Sequence, residues 1–330
     1  MNKYIIITTI NPLSTGILQF SRFNDWQIVL IGDKKSVEID CSKNITFLSI
    51  EDQFALKYDF VNTCPFNHYA RKNIGYLYAI QHGADVIYDT DDDNVPYEHW
   101  DMPEFFCDRQ YTSTRDFVNV YQYFSEELVW PRGFPLDEIY QETEHNLTWT
   151  EPLSIGVWQG LANIDPDVDA VFRLIFRKKI TFDDKPPIVL RRGSYCPFNS
   201  QNTIWHKNAF PYLYLPSTTS FRFTDILRGY VAQRLMWAQD LHVGYTRATV
   251  YQDRNKHDLM KDFADEMGGY LCVKPIVKLL QSLDLGSDPY TSLEGVYRAL
   301  AGQGFVGAEE FDMCKAWIRD LKNAMNNSIA

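Results

Sequence analysis

Four carboxylates fall within five positions at Asp89, Asp91, Asp92 and Asp93, and Asn94 follows them. Carboxylates this close repel one another and lower stability unless a cation sits among them. Hard oxygen ligands suit Mg²⁺ or Mn²⁺, which bridge one or two Asp side chains to substrate phosphates instead of filling an all-protein cage. In a linker the same run would read as a solvated acidic turn. Here it directly follows the strand signal of residues 85–88, and that position favours a metal. Asp91 and Asp93 form a D-x-D pair, one facing the ribose and one the ion. Side chains alternate at a strand end, so Asp89 and Asp92 cannot point at the same ion; Asp92 is assigned to the nucleotide.

Other groups belong with this run. Arg71 and Lys72 open the segment that leads to the strand, where a helix N-terminus and two cations suit a diphosphate. Two surface cations balancing an acidic protein would look the same. Thr8, Thr9 and Asn11 end the first strand-like run and Asp33 ends the second, where a nucleoside lies in such a sheet. Arg254, Lys256 and His257 crowd one short loop, a group able to close over phosphates or complete a metal shell. A lone histidine is as often structural. For Asp165, Asp167 and Asp169, helix N-capping competes evenly with binding of a sugar or acceptor. Asp225 starts a helix between Arg222 and Arg228. It can cap that helix, or take the proton of an acceptor hydroxyl while the arginines position it or bind substrate.

The elements that carry these groups follow from periodicity. Residues 4–10, 27–31 and 45–50 are β-branched apolar runs of buried-strand length. Asn67 caps a helix predicted over 69–82, with Ala70, Ile74, Leu77 and Ile80 or Gln81 at helical spacing and Gly83 as its stop. This alternation predicts an α/β fold on a doubly wound, mostly parallel sheet, with ligands beyond the carboxyl ends of the strands. In the second half, 155–161 and 188–190 read as strands and 225–237 as a helix. From about residue 270 the pattern is helical, over 273–283, 292–300 and 308–325. The expected division is a catalytic domain over 1–270, with a nucleotide-binding half near 1–110 and an acceptor half near 111–270. A helical extension over 271–330 carries no candidate phosphate or metal group, and can pack on the catalytic domain or join two copies as a homo-oligomer.

Composition narrows the partners. The 330 residues are 45% hydrophobic with a net charge of −11, which argues against a general binder of nucleic acid or anionic membrane. Aromatics at 15% fit a stacking site or, more simply, an aromatic core. The six cysteines are scattered without a C-x-x-C pair, as free thiols in a reducing compartment would be. No run approaches the roughly 18 apolar residues of a membrane span, and no leader is apparent before the first strand run. The expected location is the cytoplasm.

The stretch from Tyr69-Ala70-Arg71-Lys72-Asn73-Ile74 to Asp91-Asp92-Asp93-Asn94 resembles the signature of the STELLO family of glycosyltransferases. So do Trp130-Pro131-Arg132-Gly133-Phe134-Pro135, Gln159-Gly160-Leu161 with Asp165–Ala170, and Pro197-Phe198-Asn199-Ser200-Gln201-Asn202. Phe221-Arg222 with Asp225, Arg228-Gly229-Tyr230, and Gln252 with Arg254, Asn255, His257 and Asp258 extend the likeness to about residue 270. The resemblance implies a GT-A fold with the acidic triplet at a metal. The plant members are Golgi membrane proteins associated with cellulose synthesis; this sequence shows no comparable anchor, so neither location nor partners are carried over. The segment 166–170 is also similar to one in the reversibly glycosylated polypeptides, which are nucleotide-sugar mutases.

The expected activity is transfer of a sugar from a nucleotide-diphosphate donor, foremost a UDP-sugar, to a carbohydrate or glycoconjugate. It would require Mn²⁺ or Mg²⁺ and invert the sugar, with Asp225 as base. Two other outcomes fit the same residues: a nucleotide-sugar mutase, or a non-catalytic scaffold that keeps the fold.

Overall fold

An apolar run without polar alternation forms a strand only where both faces of its sheet are covered, and β1 (Lys3–Thr8) meets that condition. Its Ile5, Ile6 and Ile7 are fully buried. The computed structural model describes residues 1–41, 44–113, 115–141, 146–252 and 258–326. It sets β1 between β2 (Trp26–Ile31) and β4 (Val86–Thr90), both parallel to it. β3 (Ile45–Leu48) joins outside β2, again parallel. Against this half lies α4 (Lys72–Gln81), where Gly75 comes so near the sheet that a Cβ would lie 2.7 Å from the side chains of Ile6 and Ile31.

The start of that helix differs from expectation. Asn67 takes a left-handed φ of 51° instead of capping. His68 is the cap, its Nδ1 accepting the Ala70 N–H at 3.0 Å, and a 3₁₀ turn over Tyr69–Arg71 leads into α4. Gly83, at φ 76°, ends the helix as predicted.

Beyond β4 the sheet becomes mixed. Its neighbour is β9 (Asn202–His206), antiparallel, and β7 (Asn146–Asn163), β6 (Phe106–Thr112), β8 (Ile188–Leu190), β10 (His242–Gln252) and β5 (Asn94–Pro96) follow in that order. β7 is long enough to pair with β6 along its first part and with β9 and β10 along its second. β10 sets Gln252 opposite Asn94, beside the acidic run. The alternation of the sequence does not signal β10, because its pairing with β7 is broken by register shifts and both its faces are largely buried.

Short helices α1 (Thr15–Phe20), α2 (Ile50–Ala55), α3 (Asp59–Thr63) and α5 (Ala170–Phe176) join these strands, and the largely buried α6 (Thr224–Met236) follows β9. The chain closes with α7 (Leu259–Ser282), α8 (Pro289–Gly302) and α9 (Glu310–Asn326). The helical tail is where the pattern put it, but α7 runs unbroken through residue 270. These helices pack on the sheet region. Trp317 of α9 is fully buried against the rings of Phe60 and Tyr214, and Asp320 accepts the N–H groups of Asp59 and Phe60 at 3.0 and 2.7 Å, capping α3. All six cysteines are free thiols, and no described helix is long and apolar enough to cross a membrane.

Candidate active site

A cavity of about 370 Å³ opens at the carboxyl ends of β1, β2 and β4. Thr8, Thr9 and Asn11 reach it from β1, Asp33 from the turn after β2, and Asp91, Asp92 and Asp93 from the turn after β4. Asp167, Arg222 and Asp225 line it from the second half of the chain. Tyr69, Arg132, Gln201, Phe221 and Gln252 also line it, although sequence reasoning gave none of them a role.

On the β4 side the carboxylates rest on one buried lysine. Asp89 is fully buried between Lys72 Nζ at 2.8 Å and Arg228 at 2.9 Å. The same Nζ reaches Asp91 Oδ1 at 3.1 Å, donates to the Thr90 carbonyl at 2.6 Å and bonds the Tyr69 hydroxyl at 2.8 Å. Burial alone would lower the Lys72 pKa; the attraction of Asp89 and Asp91 outweighs it and holds the pKa above the usual lysine value. The Tyr69 hydroxyl donates to Asp91 Oδ1 at 2.7 Å. Asp91 Oδ2 has no partner among the described residues, and burial pushes the Asp91 carboxyl up against the pull of Lys72 and Tyr69.

Its neighbours are oriented separately. Thr9 Oγ1 and Asn11 Nδ2 both donate to Asp92 Oδ2, at 2.7 and 3.1 Å, so these nucleoside candidates hold a carboxylate in place. Gln252 Nε2 donates to both oxygens of Asp93 at 3.0 Å. Asp33 Oδ2 accepts the His68 N–H at 3.2 Å and ties the α4 approach to the end of β2.

The expectation for Arg71 and Lys72 needs correction. Arg71 touches the cavity, but its buried guanidinium is bound to Gln53 and to the Cys64 carbonyl, a structural bond rather than a phosphate clamp. Lys72 lies beneath the cavity as counter-ion to two carboxylates. Arg254, Lys256 and His257 lie outside the described residues. Among the described residues no three His, Cys, Asp or Glu side chains converge to cage a metal. Mg²⁺ or Mn²⁺ bridged to phosphates needs only one or two carboxylates, and Asp91 with an open oxygen beside Asp93 fits that.

The second wall is organised by an arginine. The Arg132 loop presses on α6: Gly133 has φ +83°, and a Cβ there would lie 2.3 Å from the Ile226 side chain. From that loop Arg132 donates to Asp167 through Nε and Nη2, both at 2.8 Å, and to Asp225 through Nη1 and Nη2 at 3.0 and 2.8 Å. Burial would lower the Arg132 pKa, yet the two carboxylates drive it well above the ordinary value. Burial likewise would raise Asp167, but Arg132 holds its carboxyl below the usual range.

Asp225 also accepts the N–H groups of Ser200 and Ile226, at 3.3 and 3.0 Å. A carboxylate offers about four lone-pair positions, and four donors occupy them. Asp225 therefore positions Arg132, with four donors already on the carboxylate that the sequence offers as a base. It does not cap α6, whose N-cap position is Phe223. Among the described residues the Asp167 side chain accepts only from Arg132.

Three more sugar-side candidates move. Arg228, 1% exposed, binds Asp89 and the Ser200 hydroxyl in the interior, so it is no sugar contact. Asp165 pairs with Arg173 away from the cavity wall. Asp169 is the buried N-cap of α5, accepting the Phe172 N–H at 2.8 Å and the Trp130 indole N–H at 2.6 Å; burial pushes its carboxyl up to about 7. Arg222 does line the cavity, held by Glu266 of α7 at 2.7 Å.

The family model of the STELLO glycosyltransferases matches residues 222–327, from Arg222 through α9. Two Arabidopsis thaliana proteins named "Probable glycosyltransferase STELLO1" and "Probable glycosyltransferase STELLO2" are 32% and 31% identical to 97% of this chain. The alignments cover 44% of each relative, so the chain spans less than half the length of these proteins. By these matches the chain belongs to the STELLO family of glycosyltransferases.

Proposed function

We propose that the cavity binds a nucleoside-diphosphate sugar, a UDP-sugar foremost, and passes the sugar to a hydroxyl of a carbohydrate or glycoconjugate. The reading rests on one observation: open carboxylate at the end of β4 and the Asp167–Arg132–Asp225 cluster face the same cavity. Thr8, Asp33 and His68 line the nucleoside end, while Thr9 and Asn11 keep Asp92 turned toward it. Asp91 and Asp93 would hold Mg²⁺ or Mn²⁺, whose charge neutralises a leaving diphosphate. Lys72 holds Asp91 from beneath and pulls against the burial that raises its carboxyl. Arg254, Lys256 and His257, outside the described residues, would supply further positive charge in this proposal. Asp167 is the proton acceptor for an incoming hydroxyl, since its side chain retains lone pairs at the cavity wall and Arg132 fixes its direction. A carboxylate opposite the leaving group makes the transfer inverting.

A panel of NDP-sugars tests this, incubated with Mn²⁺ or with EDTA. Free NDP released only with the metal present is the expected result. Isomerised donor would make the enzyme a mutase, and unchanged donor a scaffold. Asp91→Asn should weaken metal-dependent UDP binding by about tenfold or more, as loss of one of very few carboxylate ligands implies; unchanged affinity in calorimetry would remove Asp91 from the metal.

A further inference from the structure

Phe221 is out of keeping with its surroundings. It lines a cavity otherwise rich in carboxylates and arginine, yet its side chain is 56% exposed. An exposed phenylalanine is common on a mobile loop, but this one is held from three directions. On one side, Glu310 of α9, fully buried, accepts the N–H groups of Ser217 and Thr218 at 2.9 and 2.7 Å and the Thr218 hydroxyl at 2.7 Å. On the other, Arg222 is bound by Glu266, and its carbonyl accepts from Arg132. The ring itself packs edge-to-face on Tyr69 at 5.6 Å. The strap thus fixes one apolar face toward the cavity.

Its neighbours locate that face along the substrate. Tyr69 bonds Asp91, the proposed metal carboxylate, and Arg222 adjoins the Arg132 cluster at the acceptor wall. Between a diphosphate and an incoming hydroxyl lies the sugar being transferred. The C–H face of a pyranose ring is the part of that sugar which gains from an aromatic surface.

We propose that Phe221 is the residue that recognises the donor sugar, by stacking on the apolar face of a pyranose ring. The proposal rests on the donor reading above. It is tested by calorimetry on the full chain with Mn²⁺, using UDP, UDP-glucose and UDP-galactose. Phe221→Ala should weaken the UDP-hexose that the wild type binds by about tenfold, while leaving UDP within about twofold. Phe221→Trp should restore it, and urea titration of each variant beside the wild type checks that the fold is kept. If Phe221→Ala leaves hexose binding intact, or weakens UDP and UDP-hexose equally, the stacking role is overturned while the donor reading stands. A wild type that binds neither UDP nor UDP-hexose overturns both.

Discussion

The two walls of the cavity hold their carboxylates by opposite means. At the end of β4 a lysine lies beneath Asp89 and Asp91 as a point charge, and leaves an Asp91 oxygen open to the cavity. At the start of α6 an arginine lies between Asp167 and Asp225, and its planar fork fills four acceptor positions. Lysine shares charge without fixing direction, whereas arginine fixes direction and consumes lone pairs. The first arrangement suits a ligand that must come and go; the second suits a wall that must not move.

This contrast is most exposed to a change in turnover. Asp167→Asn should preserve UDP affinity and lower kcat by about 10²–10⁴, the usual worth of a general base. Asp225→Asn should cost stability instead, about 1–3 kcal/mol for a disturbed buried hydrogen-bonded group, with a smaller fall in kcat. Steady-state kinetics beside urea titration would separate them, and the reverse order would return the base role to Asp225. Next in size is Arg132→Leu. Removing the cation leaves two buried carboxylates facing each other, and the expected loss is about 3–5 kcal/mol in urea unfolding. A loss below about 1 kcal/mol would show the wall to be held by packing alone.

The last expected effect is a slope. The Asp169 carboxyl is raised to about 7, so between about pH 4 and 7 the folded chain keeps a proton that the unfolded chain has lost. That group's contribution to stability is full below the unfolded value and declines as pH rises through the window, by at most about 1.4 kcal/mol per pH unit. Asp169→Asn keeps the cap and should flatten this part of the profile. An unchanged profile would mean that Asp169 is ionised in the fold.

The parallel half of the fold is legible because its strands are buried on both faces and so appear as unbroken β-branched runs. The acidic run is legible for the same reason: it ends one of those strands. What a sequence does not display is side-chain direction at a helix start. Arg71 and Lys72 look alike there, yet one binds Gln53 and the other sits under Asp91. Arg132 and Asp225 come from distant segments, and nothing local to either announces their pairing. The Gly133 turn beside Arg132 was the one available hint. For Asp169 the capping alternative was the right one, since an aspartate just before a helix has a local use that needs no ligand.

The clamp on Asp89 has a bearing on how the chain is made. Synthesis delivers Lys72 before Asp89, so a nascent β1–β4 sheet has a counter-ion for one carboxylate oxygen at once. The other oxygen waits for Arg228, and the open edge of β4 waits for β9. Until both have left the ribosome, the first half presents a buried carboxylate oxygen without its ion-pair partner and a bare strand edge, the surface on which neighbouring chains add. A split of this protein after the acidic run would therefore leave the first piece without the partner of Asp89 and without the strand that covers β4.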